Sequence, residues 1–183
     1  MAINQDTFTG PSFSLKNRLL RALWGIVYNL FFRFSPRPCH AWRAFLLRLF
    51  GANLGRGCHI YPKAVIWAPW NLSCGDETGV ADHAILYTQA PIYLGKRCVI
   101  SQGSHLCTGT HDYTQRGFPL TAAPITIGDD AWVAAEAFVH GGVTIGAGSV
   151  IAARAVVNKD IPEWMICAGH PCKPIKPRVL NDE

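Results

Sequence analysis

Residues 124–162 read PITIGDDAWVAAEAFVHGGVTIGAGSVIAARAVVNKDIP. Within them, aliphatic side chains fall at Ile127, Val133, Val139, Ile145, Ile151 and Val157, one at every sixth position. An amphipathic helix repeats near 3.6 residues and a half-buried strand near 2, so neither accounts for a period of six. One such match carries no weight, but six in phase mark a solenoid. Short strands with one inward aliphatic residue each, joined by turns of Gly, Asn, Asp or small residues, form a parallel β-helix. Three flat faces, one hexapeptide each, close a coil, and each side chain stacks on its counterpart in the next coil.

The same spacing extends toward the N-terminus, through Leu94, Ile100 and Leu106 and through Leu54, Ile60, Ile66 and Leu72. Glycine follows the aliphatic position at Leu54-Gly55, Leu94-Gly95, Ile127-Gly128 and Ile145-Gly146. The phase slips twice, between Leu72 and Leu94 and again between Leu106 and Ile127, neither interval being a whole number of hexapeptides. The second slip holds THDYTQRGFPLTAAP (110–124), a loop with Gly117, Pro119 and Pro124 that carries His111. Long loops inside a regular repeat are generally functional or disordered.

Two helical segments precede the repeat. Leu19, Leu20, Leu23, Trp24, Val27, Leu30 and Phe31 have helical spacing within Leu15–Phe34, and SPRP at 35–38 ends that helix. A second helix spans Ala41–Phe50 and stops at Gly51. The chain thus divides into a basic helical segment (1–50), a β-helix (51–166) with its loop at 108–124, and a C-terminal tail (167–183).

The chain has 183 residues, 49% of them hydrophobic, and a net charge of +5, a composition that excludes a disordered or collagen-like chain. The charge is unevenly placed. Residues 1–56 hold eight basic side chains and the single acid Asp6, while the remainder holds nine basic and eleven acidic ones. No nucleic-acid motif accompanies the basic segment, so nucleic acid is not the expected partner. The segment either caps the open end of the β-helix or lies on an anionic membrane with Arg18, Arg21 and Arg33 at the head groups. Ala22–Phe32 is the longest uncharged apolar stretch, too short to span a bilayer. The seven cysteines include no C-x-x-C pair and no zinc-type spacing, so no metal is expected. The start, MAINQDTFTG, lacks the form of a signal peptide, and the expected location is cytoplasmic, with a peripheral position at the inner face of the membrane as the second possibility.

LCTGTHDYT (106–114), the stretch 124–162 and CAGHPCKPIK (167–176) together resemble the hexapeptide-repeat acyltransferases. They are most similar to the branch with galactoside and maltose O-acetyltransferases, and the basic lead running into LLRLFGANLG resembles its colanic-acid, exopolysaccharide members. The resemblance implies a mainly β fold, a left-handed parallel β-helix, acetyl-CoA as acetyl donor, a sugar or lipid-linked saccharide as acceptor, and a homotrimer with sites between subunits. It implies His111 as catalytic base and the Ala135 amide as oxyanion donor. Acceptor contacts fall at His83 and Asp82, with His83 standing where galactoside-acetylating relatives have Asn. The coenzyme A positions are Trp132, Ala153, Asn158, Lys159, Lys173 and Lys176. The chemistry suits the residue: neutral imidazole can take a proton from a hydroxyl that attacks a thioester, and a backbone N–H can hold the resulting oxyanion.

Two other readings share the solenoid. A non-catalytic scaffold would have the same aliphatic stack. A γ-carbonic-anhydrase-like enzyme would use zinc, with His83, His105 and His111 as the available histidines, although that family lacks this loop and tail.

Overall fold

The computed structural model describes residues 7–181; Asp6 and the start of the chain read above lie outside them. Its body is a three-faced parallel β-helix of two- and three-residue strands. The first face carries Asn53–Leu54, Leu72–Cys74, Ile92–Leu94, Ile125–Ile127 and Thr144–Ile145. The second runs from His59–Ile60 to Val150–Ile151 and Met165–Gly169, and the third from Val65–Ile66 to Val156–Val157. Stacked aliphatic residues fill the interior; Ile60, Ile100, Val133 and Ile151 on the second face, and Leu86, Leu106, Val139 and Val157 on the third, are fully buried. Parallel strands buried this way need an inward apolar residue at each short step, which is the source of the six-residue period.

Coil length departs from the uniform three hexapeptides expected from the sequence. On the first face, Leu54 pairs with Cys74 and Cys74 with Leu94, so both of these coils are slightly longer than that. Leu94 then pairs with Ile127, on the far side of the inserted loop, and only the step from Ile127 to Ile145 is three hexapeptides. The apparent slip after Leu72 is thus a regular coil, with Cys74, Val80 and Leu86 as its inward residues. Its extra residues lie at the corner between third and first faces, where Pro69–Asn71 form a 3-10 turn in the coil below. The second slip is a real insertion at the same corner. It is not irregular: Gly109–His111 pair antiparallel with Leu120–Ala122 as a hairpin.

The glycines after the aliphatic positions exist because the next coil passes too close for a side chain. A Cβ on Gly55 would lie 2.5 Å from the Asp76 nitrogen, and one on Gly95 would lie 2.6 Å from that of Asp129. The aspartates there tie coils together. Asp76 accepts from the Arg56 N–H at 2.7 Å and Asp129 from the Lys96 N–H at 2.8 Å.

Along the ladder, each N–H donates to a carbonyl one coil further on: Gly55 to Cys74, Tyr61 to Val80 and Trp67 to Leu86, at 2.8, 2.9 and 3.1 Å. The matching carbonyls of the first coil, Leu54, Ile60 and Ile66, have no earlier coil to supply donors. Helix α1 (Leu15–Val27), a π-helical turn (Tyr28–Phe32) and helix α2 (His40–Leu49) cover that end. They supply a side-chain donor to every face, and on the second face His40 Nδ1 also lies 3.1 Å from the Ile60 carbonyl. Arg48 Nη2 reaches the Leu54 carbonyl at 3.0 Å, Arg43 Nε the Ile60 carbonyl at 2.6 Å, and Trp24 Nε1 the Ile66 carbonyl at 2.8 Å. Buried backbone acceptors left unpaired would be costly, so the cap completes the ladder as well as covering apolar coils. Arg43 is fully buried; its guanidinium also donates to Ser35 Oγ and to the Pro36 and Arg37 carbonyls.

The helically spaced residues of the first segment divide between two sides. Trp24 and Phe32 are buried, while Leu19, Leu23, Leu30 and Phe31 point outward. Trp24 wins the inner position because its ring packs on Tyr28, Phe32 and Phe50 while its N–H meets a ladder carbonyl. The C-terminal tail is also more ordered than a tail: Cys172–Pro177 form a strand antiparallel to Met165–Gly169 at the end of the second face.

Candidate active site

His111 ends the first strand of the inserted hairpin, opposite Leu120. Its Nδ1 lies 2.8 Å from the Phe118 carbonyl. A carbonyl only accepts, so Nδ1 carries a proton here, and in the neutral ring the lone pair is left on Nε2. The ring also stacks on Phe118, with centroids 4.6 Å and planes 11° apart. The hairpin is tied further by Asp112, whose carboxylate accepts from the Thr114 N–H and hydroxyl and from Gln115 Nε2, holding that carboxyl below the usual carboxylate range. From the far N-terminal side, the Thr7 N–H and hydroxyl donate to the Gly117 carbonyl, and the hydroxyl also donates to that of Phe118. Neither Phe118 nor Thr7 stood out in the sequence. The one available signal was Gly117-Phe118-Pro119, read only as loop punctuation.

The remaining site residues sort by register. Val80, Ile100, Val133 and Ile151 are stacked partners on the second face. Two residues beyond each come Asp82, Gln102, Ala135 and Ala153, one axial column at the corner between second and third faces. His83 follows Asp82 there, exposed and in the left-handed region at φ 64°. Asp82 Oδ1 accepts from the Lys63 N–H at 3.0 Å, and Oδ2 pairs with Arg37 at 3.1 Å. Its carboxylate therefore serves the corner and the cap together. The Ala135 carbonyl accepts from Arg154, whereas its N–H meets no acceptor among the described residues, as an oxyanion donor requires. Trp132 stands on the outer second face, its Nε1 held by Ser101 Oγ at 2.8 Å. Lys173 and Lys176 lie exposed on the last strand of that face. These groups fit a long anionic thioester: an exposed indole, a free amide and two cations along one side.

His111, Asn158 and Lys159 belong to the other corner, between third and first faces. Within one chain, His111 and the Ala135 column therefore lie on opposite edges of the third face. A cavity of about 640 Å³ lies beside the hairpin, lined by Phe13, Gln89, Leu120 and Thr121 among others, and another of about 550 Å³ on the second face includes Asp82. Neither of these cavities brings His111 to the Ala135 column. His105, one hexapeptide from His111 in sequence, is not its partner either: it packs edge-on to Tyr87 and Phe138. Burial pushes the Cys98 and Cys172 thiols up to about 11 and raises those of Cys58, Cys74, Cys107 and Cys167, which makes these six poor nucleophiles.

Residues 124–159 match the bacterial transferase hexapeptide family, a profile of six repeats. A protein of Escherichia coli K12 that carries the name putative colanic acid biosynthesis acetyltransferase WcaF is 45% identical over 166 residues, 91% of either chain. The galactoside O-acetyltransferase of the same organism is 29% identical over 143 residues, 76% of this chain and 70% of that one. Among solved structures, a hexapeptide-repeat acetyltransferase of Vibrio cholerae, complexed with acetyl coenzyme A, superposes with a TM-score of 0.83 at 28% identity over 91% of both chains. The repeat, together with this likeness over nearly the whole length of such relatives, shows that the chain belongs to the hexapeptide-repeat acetyltransferases.

Proposed function

We propose that this acetyltransferase moves the acetyl group of acetyl-CoA to a sugar hydroxyl in exopolysaccharide or other cell-surface polysaccharide biosynthesis. The observation that carries the reading is the His111 imidazole, fixed by Phe118 with Nε2 free. The names of the Escherichia coli relatives and the acetyl-CoA complex of the Vibrio cholerae structure support donor and acceptor class. Nε2 takes the proton of the acceptor hydroxyl as its oxygen bonds to the thioester carbonyl carbon. The Ala135 N–H donates to the oxyanion. As the C–S bond breaks, the proton on Nε2 is returned to the departing thiolate, giving ester and free thiol and restoring neutral imidazole.

The separation of His111 from the Ala135 column across the third face supports a homotrimer, in which the His111 edge of one chain meets the Ala135 edge of the next. That face presents apolar and aromatic side chains outward, with Tyr87, His105 and Phe138 in ring contact. On this reading the chain works in the cytoplasm, with its N-terminal helices toward the inner face of the membrane and a lipid-linked saccharide as one form of acceptor. Incubating the protein with acetyl-CoA and a panel of nucleotide- and lipid-linked sugars, then weighing the products by mass spectrometry, tests the reaction. Addition of one acetyl ester to a sugar is expected; acetyl-CoA consumption with no acetylated sugar would contradict it.

A further inference from the structure

We infer that the outer surface of the N-terminal cap docks on an anionic phospholipid bilayer, which deepens and rests on the placement at a membrane proposed above. The cap is apolar on two sides. Its inner side meets the first coil through Trp24 and Phe32, but Leu15, Leu19, Leu23, Ile26 and Leu30 form a second stripe along α1 and the π-turn, at helical spacing. Leu19 is 61% and Leu30 64% exposed. Helix α2 extends the stripe with Trp42, Phe45 and Leu49, the last 68% exposed. The Trp42 indole donates to the Phe31 carbonyl at 3.0 Å, so the two stripes join at that seam. Two adjoining hollows, of about 470 and 340 Å³, share Leu20 and Leu23 and run on to Leu49, Phe50 and Trp70. Soluble single chains rarely expose so continuous an apolar surface without a partner.

Charge identifies the partner. Residues 7–75 contain nine Lys and Arg and no Asp or Glu, whereas residues 76–183 contain eight basic and eleven acidic side chains. Lys16, Arg18 and Arg33 are exposed around the stripe, and none pairs with a carboxylate among the described residues. A second copy of the cap would set cations against cations with no acid to answer them. A bilayer with anionic head groups offers an apolar interior to the leucines and negative charge to the arginines. At 13 residues α1 is too short to cross that bilayer, and no described helix is long and apolar enough to do so, which leaves it lying in the interface.

The test is flotation of the full chain with vesicles of phosphatidylethanolamine and phosphatidylglycerol, beside pure phosphatidylcholine vesicles. Wild type is expected to float with the anionic vesicles, more weakly at high salt, and to stay behind with the neutral ones. The double variant Leu19→Glu/Leu23→Glu is expected to lose about tenfold or more in bound fraction while keeping its melting temperature. Tryptophan emission of the wild type should shift to the blue on anionic vesicles. Wild type remaining unbound, or the double variant floating equally well, would overturn the proposal. So would a wild-type assembly through its caps that the double variant dissolves, since the occupant would then be a second copy. Acetyl transfer to a water-soluble acceptor without vesicles should be unchanged in the variant, which separates failure of docking from failure of the enzymatic reading.

Discussion

The ring of His111 lies flat on that of Phe118 while its Nδ1 donates to the carbonyl of that same residue at 2.8 Å. One neighbour thus sets both the plane and the tautomer of the imidazole. The Phe118 backbone is itself in the left-handed region at φ 46°, with the Thr7 hydroxyl donating to its carbonyl. Phe118→Ala keeps the carbonyl but removes the stack, and kcat/KM is expected to fall about tenfold to a hundredfold in a steady-state assay. Thr7→Val should cost only a few-fold, because the His111 hydrogen bond remains.

The cap predicts a separate, purely structural effect. Arg43→Met withdraws the buried guanidinium from the carbonyls of Ile60, Pro36 and Arg37; Ile60 keeps His40 Nδ1 and Pro36 keeps the Cys39 N–H, while Arg37 keeps neither. A loss on the order of 3 kcal/mol is expected in denaturant unfolding. Trp24→Phe keeps the ring packing and deletes one donor, so about 1–2 kcal/mol should be lost.

The coil glycines divide into two kinds. An alanine at Gly95 would press its Cβ on the Asp129 nitrogen and carboxylate, and about 2–4 kcal/mol of stability should go with it. Gly79 has nothing within 4 Å of the same position, so Gly79→Ala is expected to stay within about 0.5 kcal/mol. Melting temperatures of the two variants, measured side by side, check the contrast.

Stability should also fall on acidification. Burial lowers the pKa of His105, and burial, with Arg43 among the neighbouring charges, lowers that of His40. Both are depressed below the ordinary imidazole value of 6.5, so the unfolded chain binds more protons than the folded one in that range. Stability is therefore greatest above that value and declines as pH drops through it. His105→Phe, which suits the ring contacts with Tyr87 and Phe138, should flatten part of the decline between about pH 7 and 5 in thermal melts.

The fold was legible because each inward residue of the β-helix answers to a local rule, an aliphatic every six residues and a glycine where the next coil passes. The coil from Cys74 to Leu86 was missed because its first inward residue is a cysteine rather than an aliphatic and the corners on either side hold extra residues. His111 could be placed from its loop, but its orienting carbonyl could not, since any residue supplies a carbonyl and only the folded hairpin brings that of Phe118 to the ring. The cap donors were equally hidden. Arg43, Arg48 and Trp24 read as ordinary members of amphipathic helices until the unpaired carbonyls of the first coil are in view. Which side of α1 faces the first coil was not legible, because that helix is apolar on two sides and periodicity alone cannot rank them.

The most direct test is the turnover of His111→Ala with acetyl-CoA and an acetylatable sugar acceptor, with melting temperature and sedimentation measured on the same preparation. Loss of about a thousandfold or more in kcat is expected, with folding and assembly unchanged, because in the proposed mechanism Nε2 takes the proton of the acceptor hydroxyl. Near-wild-type turnover by a folded His111→Ala protein would contradict the account.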